Sequence, residues 1–420
     1  MTASPTMGRR LGLTDAVAIG VGSMVGAGIF AAFAPAALAA GAGLLIGLVI
    51  AAIIAFCNAT STAQLAVQYP TSGGSYIYGR ERLGEWVGFT AGWSFVVGKT
   101  ASCAAMALTF AAYAAPAGWE RPVAALAVLA LCAVNLFGVT RTAALTKVIV
   151  TVVLGILLLV ITIAIPSVAD VAADDTAPLE WTAPGGWYGV LQAAGLLFFA
   201  FAGYARIATM GEEVKNPRTV IPRAILISLT AVLVLYAVIG FLLVVVIGPA
   251  ALAVSAAPLI DVVTTAGSPW AAPIVQVGAA VGSLGALLAL IAGIGRTSLA
   301  MARHDDLPAA FAALHPRTHV PYRAEIALAL IVVVLVVTLD VRQAIGFSSF
   351  GVLLYYLIAN VAAFTQARAD RRYPRVLQIV GACGCLLLVA TLPWQSLAGG
   401  VVVIAVGFGY RAVRKAVQRT

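Results

Sequence analysis

Charge is what this sequence has least of. Only 10% of its 420 residues are Asp, Glu, Lys or Arg, against 62% apolar, whereas a soluble globular chain carries about 25% charged and roughly 45–50% apolar residues. Too few polar side chains exist to cover a water-facing surface, which excludes a folded soluble monomer and makes the bilayer the solvent. Histidine occurs three times, as His304, His315 and His319, all in one segment. No Asp/Glu pair lies inside an apolar run, and no HExxH, nucleophile-elbow or Walker motif is present. These absences argue against a membrane enzyme and against ATP-driven pumping, and no metal or cofactor is expected. The five cysteines, Cys57, Cys103, Cys132, Cys383 and Cys385, all fall in apolar runs. Neither a disulfide framework nor a CxxC site is indicated. Buried apolar thiols are expected, with Cys383 and Cys385 on different faces of one helix.

Long apolar runs are what the sequence does contain. A helix needs about 20 apolar residues to cross the hydrocarbon core. Gly, Pro and charged breaks divide the chain into about twelve candidate spans: 13–39, 42–67, 86–115, 122–140, 143–166, 187–210, 223–247, 271–300, 323–340, 343–366, 375–392 and 395–411. The expected fold is an all-α integral membrane protein. The first span is too long for a cleaved signal peptide, and further spans follow it, so it is expected to be retained. The segment 248–270, with Pro249, Pro258 and Pro269, has room for a short helix over an outer vestibule.

With the N-terminus inside, all but four of the 25 basic residues fall on the inner side. Arg121 and Arg342 are outside, while Lys99 and Arg206 lie at membrane depth. The outer loop 167–186 is acidic, with Asp170, Asp174, Asp175 and Glu180. This is the asymmetry of the positive-inside rule. The net charge of +9 is therefore a topology signal and gives no reason to invoke nucleic acid. Both tails, 1–12 and 412–420, are expected to be cytoplasmic. Ala-rich, Arg-over-Lys usage points to a bacterial cell membrane.

The first span contains Gly22-Ser23-Met24-Val25-Gly26-Ala27-Gly28-Ile29-Phe30. Each Gly costs a helix roughly 1 kcal/mol relative to Ala. Either the helix is unwound here against a cavity, or Gly22xxxGly26 is a small-residue packing face. The sixth span carries a companion, Phe198-Phe199-Ala200-Phe201-Ala202-Gly203-Tyr204-Ala205-Arg206. Interrupted segments in the first and sixth spans point to inverted five-helix repeats, 13–166 and 187–366, with a midplane site and two further helices in 367–411. Half-helix N-termini suit a carboxylate, and freed carbonyls suit an ammonium. Together they recognise a zwitterion without a charged side chain.

These residues resemble the amino acid–polyamine–organocation superfamily of permeases, which share the LeuT-type inverted-repeat fold. The resemblance extends to Tyr69-Pro70-Thr71-Ser72-Gly73-Gly74-Ser75-Tyr76 with Arg80, Leu83-Gly84-Glu85 and Gly92-Trp93, and to Asn135-Leu136-Phe137-Gly138-Val139. It continues through Gly211-Glu212-Glu213-Val214-Lys215-Asn216-Pro217-Arg218 and Ile221-Pro222-Arg223 to Arg296, Met301-Ala302-Arg303 and Leu307-Pro308. It implies that amides around Ser23, Met24, Gly26, Ala27 and Gly28 hold a substrate carboxylate. The backbone at Phe199, Ala200, Ala202 and Gly203 would face the amine, and Phe199 or Phe201 would form an aromatic lid. The implied activity is secondary transport of an amino acid, by proton symport or exchange; a cationic amino acid or polyamine permease and a non-transporting sensor are the alternatives.

Lys99 lies near the middle of its span, roughly 20 Å from either interface at about 1.5 Å per residue. An ionisable group there is a functional hypothesis by default. Proton-coupled relatives place a buried lysine on the fifth span. Here Val153 stands at that position and Lys147 is nearer the cytoplasmic end, so Lys99 either replaces the coupling residue or faces the substrate carboxylate. Arg206 is expected to act as an inner-gate or network residue with Glu213 as partner. Asp15 is expected either to complement the helix dipole or to latch to an inner arginine. A cationic pore region disfavours dibasic substrates and favours neutral or anionic amino acids, neutral first. Sodium coupling is disfavoured, since Ser283 and Gln276 are the only hydroxyl and amide between Ala271 and Gly295.

Overall fold

The computed structural model describes residues 11–71, 73–137, 142–173, 183–211, 213–318 and 320–417. Arg9, Arg10, Ser72, Gly138, Val139, Arg141, Asp174, Asp175, Glu180, Glu212 and His319 lie outside them, as does the side chain of Asp170. Every regular element among the described residues is helical. Extended pairing there is confined to one parallel bridge, Leu11 with Val214.

The first span divides into α1 (Leu13–Val25), α2 (Ala27–Ala31) and α3 (Phe33–Ala40). It is followed by α4 (Leu44–Gln68), a short α5 (Ser75–Leu83), α6 (Glu85–Ala114), α7 (Glu120–Leu136) and α8 (Thr142–Ala173). The sixth span is α9 (Gly186–Phe201) and α10 (Ala205–Ala208), and α11 (Pro217–Leu242) comes next. The segment 248–270 holds two short helices, α12 (Pro249–Val254) and α13 (Pro258–Thr265). The chain ends with α14 (Ala272–Arg303), α15 (Tyr322–Thr338), α16 (Val341–Phe364), α17 (Arg375–Thr391) and α18 (Trp394–Val417).

Nine helical stretches among the described residues are long and apolar enough to cross a bilayer. The fourth, ninth and eleventh expected spans are α7, α15 and α17, each of 17 residues, the short end of what spans a membrane. Large apolar side chains such as Leu126, Val134, Leu158, Leu330, Val402 and Val406 are exposed on the outer faces. In water they would be a liability; in lipid they are solvated. The protein is an all-α integral membrane protein.

Two groups of helices enclose the interior. In one, α4 packs on α9 and α11, and α1 runs along α11 and α8; in the other, α6 packs against α14, α15 and α16. Buried polar side chains join α4, α16 and α17: Ser61 Oγ donates to Asn360 Oδ1 at 2.7 Å, and Asn360 Nδ2 to Asn58 Oδ1 at 2.6 Å. Such bonds hold helices together where no hydrophobic force acts between them. Cys385 is buried against Asn58 at 3.4 Å. Cys383 is exposed, which corrects the expectation that all five thiols are buried; on one helix, residues two apart cannot both face the neighbouring helices.

At the end of the bundle that carries α5, α18 is tied down by charge. Arg411 Nη1 lies 2.7 Å from Asp306 Oδ1, both side chains almost fully buried. Asp306 also accepts from Tyr76 Oη at 2.8 Å and Arg80 Nη1 at 3.3 Å. Burial pushes the Asp306 carboxyl up despite these donors, and pushes the Tyr76 hydroxyl up as well. Arg80 and Lys415 reach Glu85 at 3.3 and 2.7 Å. Arg80 of α5 thus serves a network with α18 and the loop after α14.

Candidate functional site

The two interruptions meet face to face. At Gly26 the backbone takes φ −52° and ψ −120°, which leaves the helical basin and starts a new helix at Ala27. The sixth span is interrupted more mildly: Ala202–Tyr204 tightens into a 3₁₀ turn with right-handed dihedrals on either side. Such tightening still redirects carbonyls that α-helical bonding would occupy.

Glycine is required where the segments touch. A Cβ on Gly203 would sit inside the Ser23 carbonyl and 2.6 Å from the Met24 nitrogen. A Cβ on Gly28 would lie 2.8 Å from Ala200 and from Tyr236 Oη, and one on Gly26 would lie 2.5 Å from Ala286 Cβ of α14. Gly22 faces α8 instead, with Val150 at 2.7 Å from the same hypothetical atom. Both readings of the glycine run therefore have a place. Gly22 serves helix packing, whereas Gly26, Gly28 and Gly203 serve the close approach of the broken segments.

Redirected carbonyls in lipid need donors, and three side chains supply them. Tyr236 Oη of α11 donates to Met24 O at 2.7 Å and to Ala200 O at 3.3 Å. Lys99 Nζ of α6 and Tyr356 Oη of α16 both donate to Ala202 O at 3.2 Å. Tyr356 stacks on Tyr204, with ring centroids 5.0 Å apart. The two tyrosines were missed from sequence, although a tyrosine inside an apolar span carries a hydroxyl that must find a partner. Lys99 is 6% exposed, and its carbonyl bond falls on the interruption itself.

A narrow cavity of about 20 Å³ opens beside this bond, lined by Ser23, Phe95, Lys99, Gly203, Arg206 and Gly293 among others. That volume admits about one water. Of the residues singled out from sequence, Ser23, Lys99, Ala202, Gly203 and Arg206 are brought together on its walls. Met24, Phe199, Ala200 and Phe201 are buried behind it, Phe201 with its ring 5.3 Å from that of Tyr236. Gly26 and Gly28 lie in the α1–α2 backbone above. Ala27 begins α2, and its side chain lies outside the described atoms.

Two expected pairings differ. Glu213 Oε1 lies 2.5 Å from Arg296 Nη1 of α14, so it does not partner Arg206. Asp15 sits in the first turn of α1 and accepts from the Gly12 nitrogen at 2.8 Å, as expected of a residue at the helix N-terminus, but its latch is to Lys147 of α8 and not to an arginine. Both differences have one cause: a carboxylate pairs with the cation that the adjoining helix presents, and sequence distance does not reveal which helix adjoins. Val153 is buried against Gly282 of α14.

Comparison with known proteins agrees with this architecture. A family model described as amino acid permease matches residues 11–414. An uncharacterized transporter of Mycobacterium tuberculosis is 54% identical over 411 residues, covering 98% of this chain and 92% of the relative. The branched-chain amino acid permease BcaP of Bacillus subtilis is 27% identical over 432 residues, covering 95% and 91%. The chloroplastic cationic amino acid transporter 7 of Arabidopsis thaliana is 28% identical over 429 residues, covering 94% and 72%. With its match running nearly end to end, and with paired helix interruptions enclosing a buried cavity, the chain is a transporter rather than an enzyme and belongs to the amino acid permease family.

Proposed function

We propose that this protein is a proton-coupled secondary transporter that moves an amino acid across a bacterial plasma membrane by alternating access. Two inverted five-helix repeats, 13–166 and 187–366, carry the site between them, 367–411 flanks them, and both termini are cytoplasmic. The substrate carboxylate is held by amides from Ser23 to Gly28, and its ammonium by carbonyls of Phe199, Ala200 and Ala202. Phe199 or Phe201 closes over it.

The observation that carries this reading is the bond from Lys99 to the Ala202 carbonyl. A charged ammonium binds a carbonyl more strongly than a neutral amine does, and a desolvated lysine gives up its proton readily. Protonated Lys99 ties α6 to the interruption in the sixth span; deprotonated Lys99 releases it. The pairs Asp15–Lys147 and Glu213–Arg296 close the inner side and part when the site opens inward.

Uptake of labelled amino acids into proteoliposomes, with and without an inward-directed proton gradient, tests the proposal. Gradient-driven accumulation that is lost in Lys99→Ala supports it. Full proton-driven accumulation by that variant would overturn the coupling role. Uptake that requires a preloaded amino acid in place of the gradient would replace symport with exchange. Binding without any uptake would replace transport with sensing.

A further inference from the structure

The cavity beneath the two interruptions holds charge of one sign. Lys99 and Arg206 line it, and among the described residues no Asp or Glu does. Arg206 follows the 3₁₀ turn on α10, and its guanidinium rests against α14, where a Cβ on Gly293 would lie 3.4 Å from Nη1. Among the described residues, no hydrogen bond or ion pair engages that guanidinium.

The carboxylates of this half of the molecule, among the described residues, are committed elsewhere. Glu213 acts on Arg206 through space but is held by Arg296 at 2.5 Å. Asp15 is held by Lys147. Glu325 is buried against Gly295; because residues two apart on a helix do not face each other, it lies on a different side of α14 from the Gly293 that meets Arg206. Asp306 and Glu85 belong to the network of Arg80, Arg411 and Lys415.

An arginine does not shed its proton in a protein, and an uncompensated charge at membrane depth is costly. A lysine can be neutral, so Arg206 decides the sign. Had Glu213 paired with Arg206, the cavity would suit a neutral side chain. With Glu213 on Arg296, the cavity lacks the anion its cations require.

We infer that the substrate itself brings that anion: the cavity lined by Lys99 and Arg206 receives the side-chain carboxylate of an acidic amino acid. The inference rests on the transport reading above and narrows its substrate. The α-carboxylate and ammonium meet backbone at the interruptions; the side chain enters between α6, α10 and α14, where the cavity of about 20 Å³ must widen from the room for one water to admit it. There Phe95, Ala289 and Leu290 supply apolar walls and Arg206 a planar pair of donors, a geometry suited to bidentate carboxylate binding.

The test compares initial uptake of labelled L-glutamate, L-glutamine, L-leucine and L-lysine into proteoliposomes holding the wild type, Arg206→Gln or Arg206→Lys. Wild type is expected to prefer glutamate over glutamine by at least about tenfold, since a site built to bond a polar group rejects the isostere that leaves it unpaired. Arg206→Gln should bring that ratio close to one while still moving glutamine, and Arg206→Lys should retain a preference. If Arg206→Gln does not fold, the wild-type ratio and Arg206→Lys decide the matter. Equal or faster uptake of leucine, glutamine or lysine by the wild type overturns the inference and leaves the transport reading standing. So does chloride-dependent uptake of a neutral amino acid, measured against gluconate buffer, which would assign the cavity to a free anion. No uptake of any amino acid removes the transport reading, and this inference with it.

Discussion

Substituting Gly203 by alanine isolates the contact on which the site depends. The added methyl meets backbone on every near side: the Ser23 carbonyl, and the Met24 nitrogen at 2.6 Å. Ordinary van der Waals contact begins at 3.4 Å, and no side chain can rotate out of the way. The broken segments must therefore separate by roughly 1 Å. Overpacking of this kind costs about 1–3 kcal/mol, and a displacement of about 1 Å at a positioned site lowers rates by on the order of a hundredfold. The matched control is Gly155→Ala on α8, where a Cβ meets nothing within 4 Å. Thermal melting followed by size-exclusion chromatography, together with initial uptake in proteoliposomes, reads both effects. Gly203→Ala should melt several degrees lower and lose most uptake, while Gly155→Ala should match wild type. If Gly203→Ala melted and transported like Gly155→Ala, the backbone contact between the two interruptions would not be what shapes the site.

Removing the hydroxyl in Tyr236→Phe leaves the Met24 and Ala200 carbonyls without their buried donor. This should cost about 1–3 kcal/mol, seen as a lower melting temperature and weakened substrate protection against thermal unfolding. Asp306→Ala leaves the buried Arg411 guanidinium with only the more distant Glu85, 3.6 Å away, and should cost up to about 3–5 kcal/mol. Pairing it with Arg411→Leu should restore much of the loss, and a strictly additive double mutant would show that the pair is not coupled. Lys99→Ala should retain exchange between internal and external substrate while losing accumulation against a gradient, as counterflow and proton-driven uptake together would reveal. Glu213→Gln should free Arg296 and speed inner-side labelling of a cysteine placed at Ser23. Unchanged labelling would remove Glu213 from the gate.

Much of the architecture is written locally. Lipid supplies no hydrogen bonds, so each span must satisfy its own backbone, and the apolar runs mark the helices to within a few residues. The first interruption was legible for the same reason: glycines clustered at 22, 26 and 28 cannot make a good helix interior. The sixth span is less legible. Its lone Gly203 implied unwinding, but the segment keeps right-handed dihedrals and only tightens, because Ala202 and Tyr204 retain helical geometry once Lys99 and Tyr356 satisfy the redirected carbonyl.

The one-dimensional pattern determined a helical membrane protein and the glycine-marked break in its first span, because solvent and backbone geometry act residue by residue. Pairing was decided in three dimensions. Glu213 goes to Arg296, Asp15 to Lys147, Lys99 to the Ala202 carbonyl, and Tyr236 to the carbonyls of both interrupted segments. Coulomb and hydrogen-bond energies fall off over a few ångströms, so a partner is set by which helices pack together, and helices distant along the chain leave no local trace of that choice. The consequence that matters most for substrate, an arginine left facing a cavity without a carboxylate, follows from that packing alone.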